Sequence, residues 1–266
     1  MLSLINCDVS DEIVDDIIAL RRLKVLIIKN TSISENGIDK LRKEMPFCQI
    51  NPPQNRFSLP FLLTRFYGDG GLDLCSTRPE FDDDDIKKIV HLPLKELDIR
   101  NSKVTRNSIV ALENTKTLKS LQANTLKLDD ESMTSLSKLP NLEEVVFSYT
   151  TFQGKSLALL LGHPKLKKLR LHTCRFDEST FSSLPNNSEI TVLSIQGSTV
   201  TNKVVDHLSK LQRLESIDIA MTKIDLKGAL CLIQNCKTIK NIYVLNQEEF
   251  ESAIKAIRSD IDVSGF

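Results

Sequence analysis

The sequence predicts an α/β solenoid, with short parallel strands stacked on one side and helices on the other. Three observations predict it. Apolar residues recur about every 24 residues, at offsets 0, 3, 5 and 10 of a unit beginning at 23, 47, 69, 94, 118, 142, 166, 190, 214 and 239. A small or polar residue occupies offset 8. Serine, threonine or aspartate dominates offset 11. A period of this size marks stacked units rather than a closed globule.

Offsets 3 and 5 supply the strand. They read Leu26/Ile28, Leu97/Ile99, Leu169/Leu171, Leu193/Ile195 and Ile217/Ile219. Alternation with period two gives a strand with one face buried. Offset 8 reads Cys7, Thr31, Asn55, Thr77, Ser102, Leu126, Thr150, Cys174, Ser198, Thr222 and Gln247. Where the chain turns out of the strand, backbone groups lose their partners, and a short inward side chain can replace them. Offset 11 reads Ser10, Ser34, Ser58, Glu80, Thr105, Asp129, Gln153, Asp177, Thr201 and Asp225. These side chains accept from the free N–H groups that open a helix. Apolar pairs at helical spacing follow: Ile109/Leu112, Met133/Leu136, Leu157/Leu160, Phe181/Leu184 and Val205/Leu208. Each unit therefore reads strand, turn, capped helix, turn. One unit cannot bury enough surface to stand alone, so neighbours must share a core.

The stretch Leu94-Lys95-Glu96-Leu97-Asp98-Ile99-Arg100-Asn101-Ser102-Lys103-Val104 follows L-x-x-L-x-L-x-x-(N/S/T/C)-x-(L/I/V), and Leu166 to Phe176 and Leu214 to Ile224 do the same. On these residues the chain resembles the leucine-rich repeat family. It is most similar to 24-residue bacterial-type repeats with Thr, Ser or Cys in the usual Asn position. The resemblance implies a right-handed solenoid over 1–266, of about 10–11 repeats, curved into a horseshoe with the sheet on the concave face and the helices on the convex face. It also implies a binding module without catalytic activity.

Two places depart from the pattern. The copy beginning at Phe47 carries Pro52 in a strand position, followed by Pro53, and Gly68-Asp69-Gly70-Gly71 lies at the next junction. Proline cannot donate to a strand ladder. Either one continuous solenoid kinks at 50–71 or a short array ends there and a second begins. Met1 falls inside a repeat, with Leu2 and Leu4 already in core positions. The first unit is then either a stub or the continuation of a longer protein. At the other end, Glu248 to Arg258 reads as a last helix and Ile261-Asp262-Val263 as a closing strand.

Lysine plus arginine equals aspartate plus glutamate, at 35 each. That balance argues against a nucleic-acid partner. No apolar run approaches the ~18 residues of a membrane span, and Met1 to Asp8 lacks the form of a secretory signal. The six cysteines form no Cys-x-x-Cys pair and read as free thiols of a reducing, cytoplasmic compartment. A secreted effector without a recognisable signal is the alternative. Asp82-Asp83-Asp84-Asp85 sits where a helix should start and complements its dipole. His91, His163 and His207 fall late in helical halves, near the outer face, as solvated or capping groups. Cys231 and Cys236 are too far round one helix to share a site, and Cys75 should face the concave surface. No phosphate loop, nucleophile–base arrangement, metal-ligand spacing or cofactor motif occurs, so neither a metal, a cofactor nor a small-molecule substrate is expected.

The remaining candidates lie at offsets 2, 4 and 6, which point away from the core onto the concave face. Asp73, Glu96 and Asp98 make an acidic end, with Arg100 at its edge. Gln122, Asn124, Val146 and Tyr149 make a neutral middle, and Lys168, Arg170 and His172 a basic end. Three strand steps, about 14 Å at ~4.8 Å each, would separate Asp98 from Arg170. This exceeds the screening length of about 8 Å, so the two ends would act on different parts of a partner. The expected function is protein–protein interaction on this face. The alternative is the substrate-recognition arm of a larger enzyme or effector, such as a ubiquitin-ligase substrate receptor.

Overall fold

A computed structural model of the chain describes residues 1–29, 31–51, 70–73, 81–153, 156–176, 178–182, 184–185 and 188–265, with the backbone alone for Lys29, Glu35, Asn51, Asp73, Ser156, Glu178 and Ser179. The chain divides into two compact units, Met1–Phe66 and Tyr67–Phe266. Whether one solenoid runs through both, and whether it kinks at 50–71, turns on residues 52–69, which lie outside the described residues. Asn55, Thr77, Ser58, Glu80 and Cys75 lie outside them as well.

In the first unit, strands β1 (Leu2–Ile5), β2 (Val25–Lys29) and β3 (Gln49–Asn51) form a parallel sheet in chain order. Their register steps by 24 residues, Leu2 to Leu26 to Ile50. Helices α1 (Val14–Ala19) and α2 (Glu35–Glu44) make the crossovers that parallel strands require. Val14, Ile17, Leu26, Ile28, Ile38 and Leu41 are its buried core.

The second unit holds a nine-stranded parallel sheet. Its strands are β4 (Gly71–Asp73), β5 (Glu96–Asp98), β6 (Ser120–Asn124), β8 (Glu144–Ser148), β10 (Lys168–His172), β12 (Val192–Ser194), β13 (Ser216–Asp218), β14 (Asn241–Val244) and β15 (Asp262–Gly265). Three two-residue strands, β7 (Lys127–Leu128), β9 (Thr151–Phe152) and β11 (Arg175–Phe176), form a second small sheet where the chain leaves the first. Helices α3 (Asp83–Ile89), α4 (Arg106–Ala111), α5 (Asp130–Ser137), α6 (Ser156–Leu161), α7 (Val205–Leu208), α8 (Leu226–Asn235) and α9 (Gln247–Ile257) alternate with the strands. The helices pack on their neighbours in the same order as the strands. Leu97, Leu121, Val145, Leu169, Leu193, Ile217 and Ile242 are all buried, as the period predicts. At offset 10, Phe152 stacks on Phe176 with ring centroids 5.2 Å apart, continuing the core into the turns.

The repeat beginning at 166 departs from the predicted capped helix. Its helical half contains only the 3₁₀ turn Glu178–Phe181 among the described residues. The segment Glu178-Ser179-Thr180-Phe181-Ser182-Ser183-Leu184-Pro185 is poor in helix formers, and Pro185 disfavours helical backbone at Leu184.

The residues at offset 8 do what the turn needs. Ser102 and Thr222 donate to the carbonyls of Ile99 (2.6 Å) and Ile219 (2.7 Å). The Cys174 thiol reaches the carbonyls of Phe147 and His172, and Ser198 reaches that of Leu171 in the preceding repeat. Leu126, which has no polar group, leaves its N–H to the Thr150 hydroxyl of the next repeat. Gln247 has moved into α9 and donates instead to the carbonyl of Val263. Burial pushes the Cys174 thiol up to about 12 and the Cys236 thiol up to about 11, so both are inert donors rather than nucleophiles.

Immediately before offset 8 lies a feature that composition conceals. Asn6, Asn101, Thr125, Tyr149, Thr173, Gly197 and Met221, all at offset 7, have left-handed backbone, with φ between 53 and 68°. A β-branched or bulky residue is a genuine outlier there. The turn geometry, fixed by the ladders on both sides, overrides the local preference.

Caps at offset 11 are present at Ser34, Thr105, Asp129, Thr201 and Asp225. Ser10 makes no such bond. Asp82 caps α3 with a reciprocal bond from Asp85, as the acidic run predicts. A second layer joins the caps across repeats. Asp11 accepts from the Ser34 N–H (2.7 Å) and hydroxyl (2.5 Å). Asp83 accepts from the N–H groups and hydroxyls of both Thr105 and Ser108. Arg106 pairs with Asp129, and Asn202 exchanges two bonds with Asp225. Burial raises the pKa of Asp83, but the bonds from Ser108 and Thr105 outweigh it and hold the carboxyl below its usual range.

His163 is a correction to the outer-face expectation. It is 2% exposed. Its Nε2 donates to the Leu139 carbonyl at 2.7 Å and its Nδ1 accepts from the Lys165 N–H at 3.1 Å. Acceptance at Nδ1 needs the neutral ring, and the Nε2 bond ties the histidine to the preceding repeat from inside. Among the other two, His91 is exposed and His207 is half-buried, with no bond to its Nδ1.

Two outcomes follow for stability. A Cβ at Gly228 would fall on Oδ1 of Asn202 and within 2.9 Å of the Ile224 side chain. Gly→Ala inside a helix ordinarily gains about 0.5–1 kcal/mol. Here Asn202 must leave its bonds to Asp225, and the net change should be a loss of about 1 kcal/mol. In an Asn202→Ala background the same substitution should be neutral or stabilising, measured by urea denaturation of all four proteins. For His163, burial lowers the pKa below the unfolded value of about 6.5. Its contribution is therefore complete above that value and is lost as pH falls through the folded pKa. Tm should drop as pH falls below about 6.5, and drop less in His163→Gln.

Candidate functional site

The outward row of the nine-stranded sheet is built by register. Asp73, Asp98, Gln122, Val146, Arg170, Ser194, Asp218, Tyr243 and Ser264 are Cα partners from strand to strand. From Asp98 to Tyr243 their neighbours at offsets 3 and 5 are buried, so these residues face outward; Asp98, Gln122, Val146, Arg170 and Asp218 are half-buried, Ser194 is buried and Tyr243 is exposed. A second row runs beside the first: Glu96, Ser120, Glu144, Lys168, Val192, Ser216, Asn241 and Asp262.

Nine of the eleven candidate residues therefore lie on β4, β5, β6, β8 and β10, and Arg100 lies just beyond β5; Asp73 is described by its backbone alone. Arg170 sits three strands from Asp98, as the repeat count requires. Asn124 exchanges bonds with Asn101, its Oδ1 accepting from the Asn101 N–H at 2.9 Å, and so supports a left-handed turn. His172 meets Gln196 at 3.1 Å. Tyr149 is displaced from the expected strand position. It follows β8 in the left-handed turn, 65% exposed, with its N–H on the His172 carbonyl.

The segregation into acidic and basic ends does not survive. Arg100 folds back on Asp98 with a fork of bonds at 2.6–3.1 Å, so the acidic end carries its own counter-ion. At the other end, Glu144 pairs with Arg170 and lies 3.9 Å from Lys168. Glu144 stands one strand before Arg170 in space but 26 residues before it in sequence. The face is thus a mosaic of local ion pairs around Gln122 and Val146. Ser194 donates to Asp218 at 3.0 Å, which extends the mosaic to β13.

No family model matches the sequence, and no curated protein is similar to it in sequence. Solved structures are similar in fold. An internalin (inlF) of Listeria monocytogenes superposes on 94% of this chain and 82% of its own, with a TM-score of 0.52 and 13% identity. The chain has a leucine-rich-repeat fold. TLR13, solved in complex with a single-stranded RNA, aligns over 93% of this chain and 37% of its own, with a TM-score of 0.45 and 16% identity.

In leucine-rich-repeat terms, the ladder among the described residues is made mostly of hydroxyls and thiols, with Leu126 and Gln247 as exceptions. No cluster of three or more His, Cys, Asp or Glu suited to a metal occurs among the described residues. No helix among them is long and apolar enough to cross a membrane. What the face can do is present alternating donors, acceptors and charges on a rigid grid, with strands about 4.8 Å apart.

Glu144→Gln would leave Arg170 and Lys168 without their shared carboxylate. Stability should change by less than about 1 kcal/mol, as for other exposed pairs. Elution from a heparin column should move to higher salt, and further than for Glu248→Gln, the same charge change elsewhere. Equal shifts would mean that the pair does not form.

Proposed function

We propose that the chain is a non-enzymatic leucine-rich-repeat module whose outward sheet face takes a protein partner. The observation that carries this reading is the unbroken in-register row from Asp98 to Tyr243. Seven consecutive strands hold seven side chains of six kinds in one line. Locally paired charges suit a protein surface with charges of both signs better than a uniform polyanion. Val146 and Tyr243 offer apolar contact among them. The Cys174 thiol is spent as a hydrogen-bond donor in the ladder, a role a disulfide would end, which supports a reducing compartment and a cytoplasmic location.

The test is affinity capture with the wild-type chain and with Gln122→Arg/Val146→Glu. Both residues face outward and are not among the buried core, so stability should change by no more than about 0.5 kcal/mol. Partners recovered by the wild type should be lost from the variant. Identical recovery would overturn the sheet face as the binding surface.

A further inference from the structure

At the edge where each strand gives way to its turn, the second unit carries a separate line of charge. Lys127, Thr151 and Arg175 are in register across β7, β9 and β11. Lys103 has the same offset one repeat before Lys127, and Lys223 has it two repeats after Arg175. All four cations are exposed. Unlike the cations of the sheet face, none pairs with a carboxylate among the described residues. The carboxylates two residues on from Lys127 and Lys223 are committed elsewhere. Asp129 accepts from Ser132 and Arg106, and Asp225 from Gly228 and Asn202, at the openings of their helices.

The same edge is apolar as well as basic. Tyr149 and Met221 stand on it, 65% and 60% exposed, aimed outward by their left-handed backbone. Met221 also lines a pocket of about 180 Å³ with Ile219, Ile224, Val244, Leu245 and Phe250. Lys223 lies in the chain between two residues of that lining, Thr222 and Ile224. The pocket is well under the roughly 300 Å³ at which small-molecule sites begin, and is of the order of one large side chain. Strained, side-chain-bearing positions held by the surrounding structure are where function is to be sought.

We infer that this edge binds an extended acidic protein segment that seats one large apolar side chain beside Met221. From Lys103 to Lys223 is five strand steps, about 24 Å at ~4.8 Å each. Seven or eight extended residues at ~3.3 Å cover that length. Four cations without a carboxylate partner among the described residues, and no anion in the row itself, select carboxylates by charge complementarity. The apolar pocket at the end of the row selects against a partner made only of phosphates. The zero net charge of the chain gives no long-range pull on a polyanion.

The test uses a fluorescein-labelled peptide of about twelve residues, Glu and Ser with a single Leu near one end, followed by anisotropy at roughly 0.05 and 0.3 M salt, on either side of strong screening. Saturable binding is expected, weaker at the higher salt. Lys127→Glu/Arg175→Glu should weaken it at least tenfold, and Leu245→Asp should do so separately, with circular dichroism melts unchanged. A peptide with Lys in place of Glu should not bind. Gln122→Arg/Val146→Glu, which disables the sheet face, should leave the affinity as it was, so the two surfaces can fail independently. Absence of saturable binding, or equal binding by the edge variants, overturns the inference. So does an oligothymidylate of equal charge that binds more tightly and displaces the peptide, which would make the edge a nucleic-acid site.

Discussion

Each repeat of this chain leaves part of its backbone for the next one to satisfy. The Lys119 N–H goes to the Lys95 carbonyl, Glu143 to Lys119, Lys167 to Glu143, Thr191 to Lys167 and Glu215 to Thr191. Buried polar groups without partners cost about 1–3 kcal/mol each, so no repeat in the middle of the array can be folded unless its neighbours are. The ladder at offset 8 and the bonds between caps extend the same requirement to the turns and the helix openings. The left-handed residues are its clearest product. Thr125, Thr173 and Met221 would not choose that backbone alone, and they hold it because the groups on either side have only one way to pair.

Much of this was legible in the sequence because it repeats. A residue type recurring at one offset states its own role, and the buried Leu97, Leu121 and Leu169, the Thr222 turn bond and the Asp129 cap follow from offsets alone. Offset 7 was illegible, since Asn, Thr, Tyr, Gly and Met share no chemistry, and only the backbone unites them. His163 was misplaced because helical position says which way a side chain points but not that a turn carbonyl of the previous repeat waits for it. The short helix before Pro185 was overruled by local composition.

The sheet face was located by the period, while its electrostatics were not. Asp98 and Arg100 are separated by one residue, and the sequence gives no reason for them to meet rather than stand apart. Glu144 meets Arg170 across strands, where partners are 24 residues away plus or minus two. A list of outward residues therefore overstates the free charge of such a face, because parallel register brings a carboxylate of the neighbouring repeat within reach of its cations. The turn edge escapes this neutralisation because its acidic neighbours are already occupied at the helix openings.

The bonds between caps also bear on how such an array can lengthen or shorten. Asp11 projects into the space that Gly37 leaves free, and Asn202 into the space of Gly228. Asp83 instead meets Ser108, which answers with its own hydroxyl. A tongue on one repeat is thus matched to a groove on the next, and the matches differ along the chain. Duplicating or excising a repeat by recombination would set tongues against the wrong grooves. The units share a period without being interchangeable, and the order of the repeats is part of what the sequence encodes.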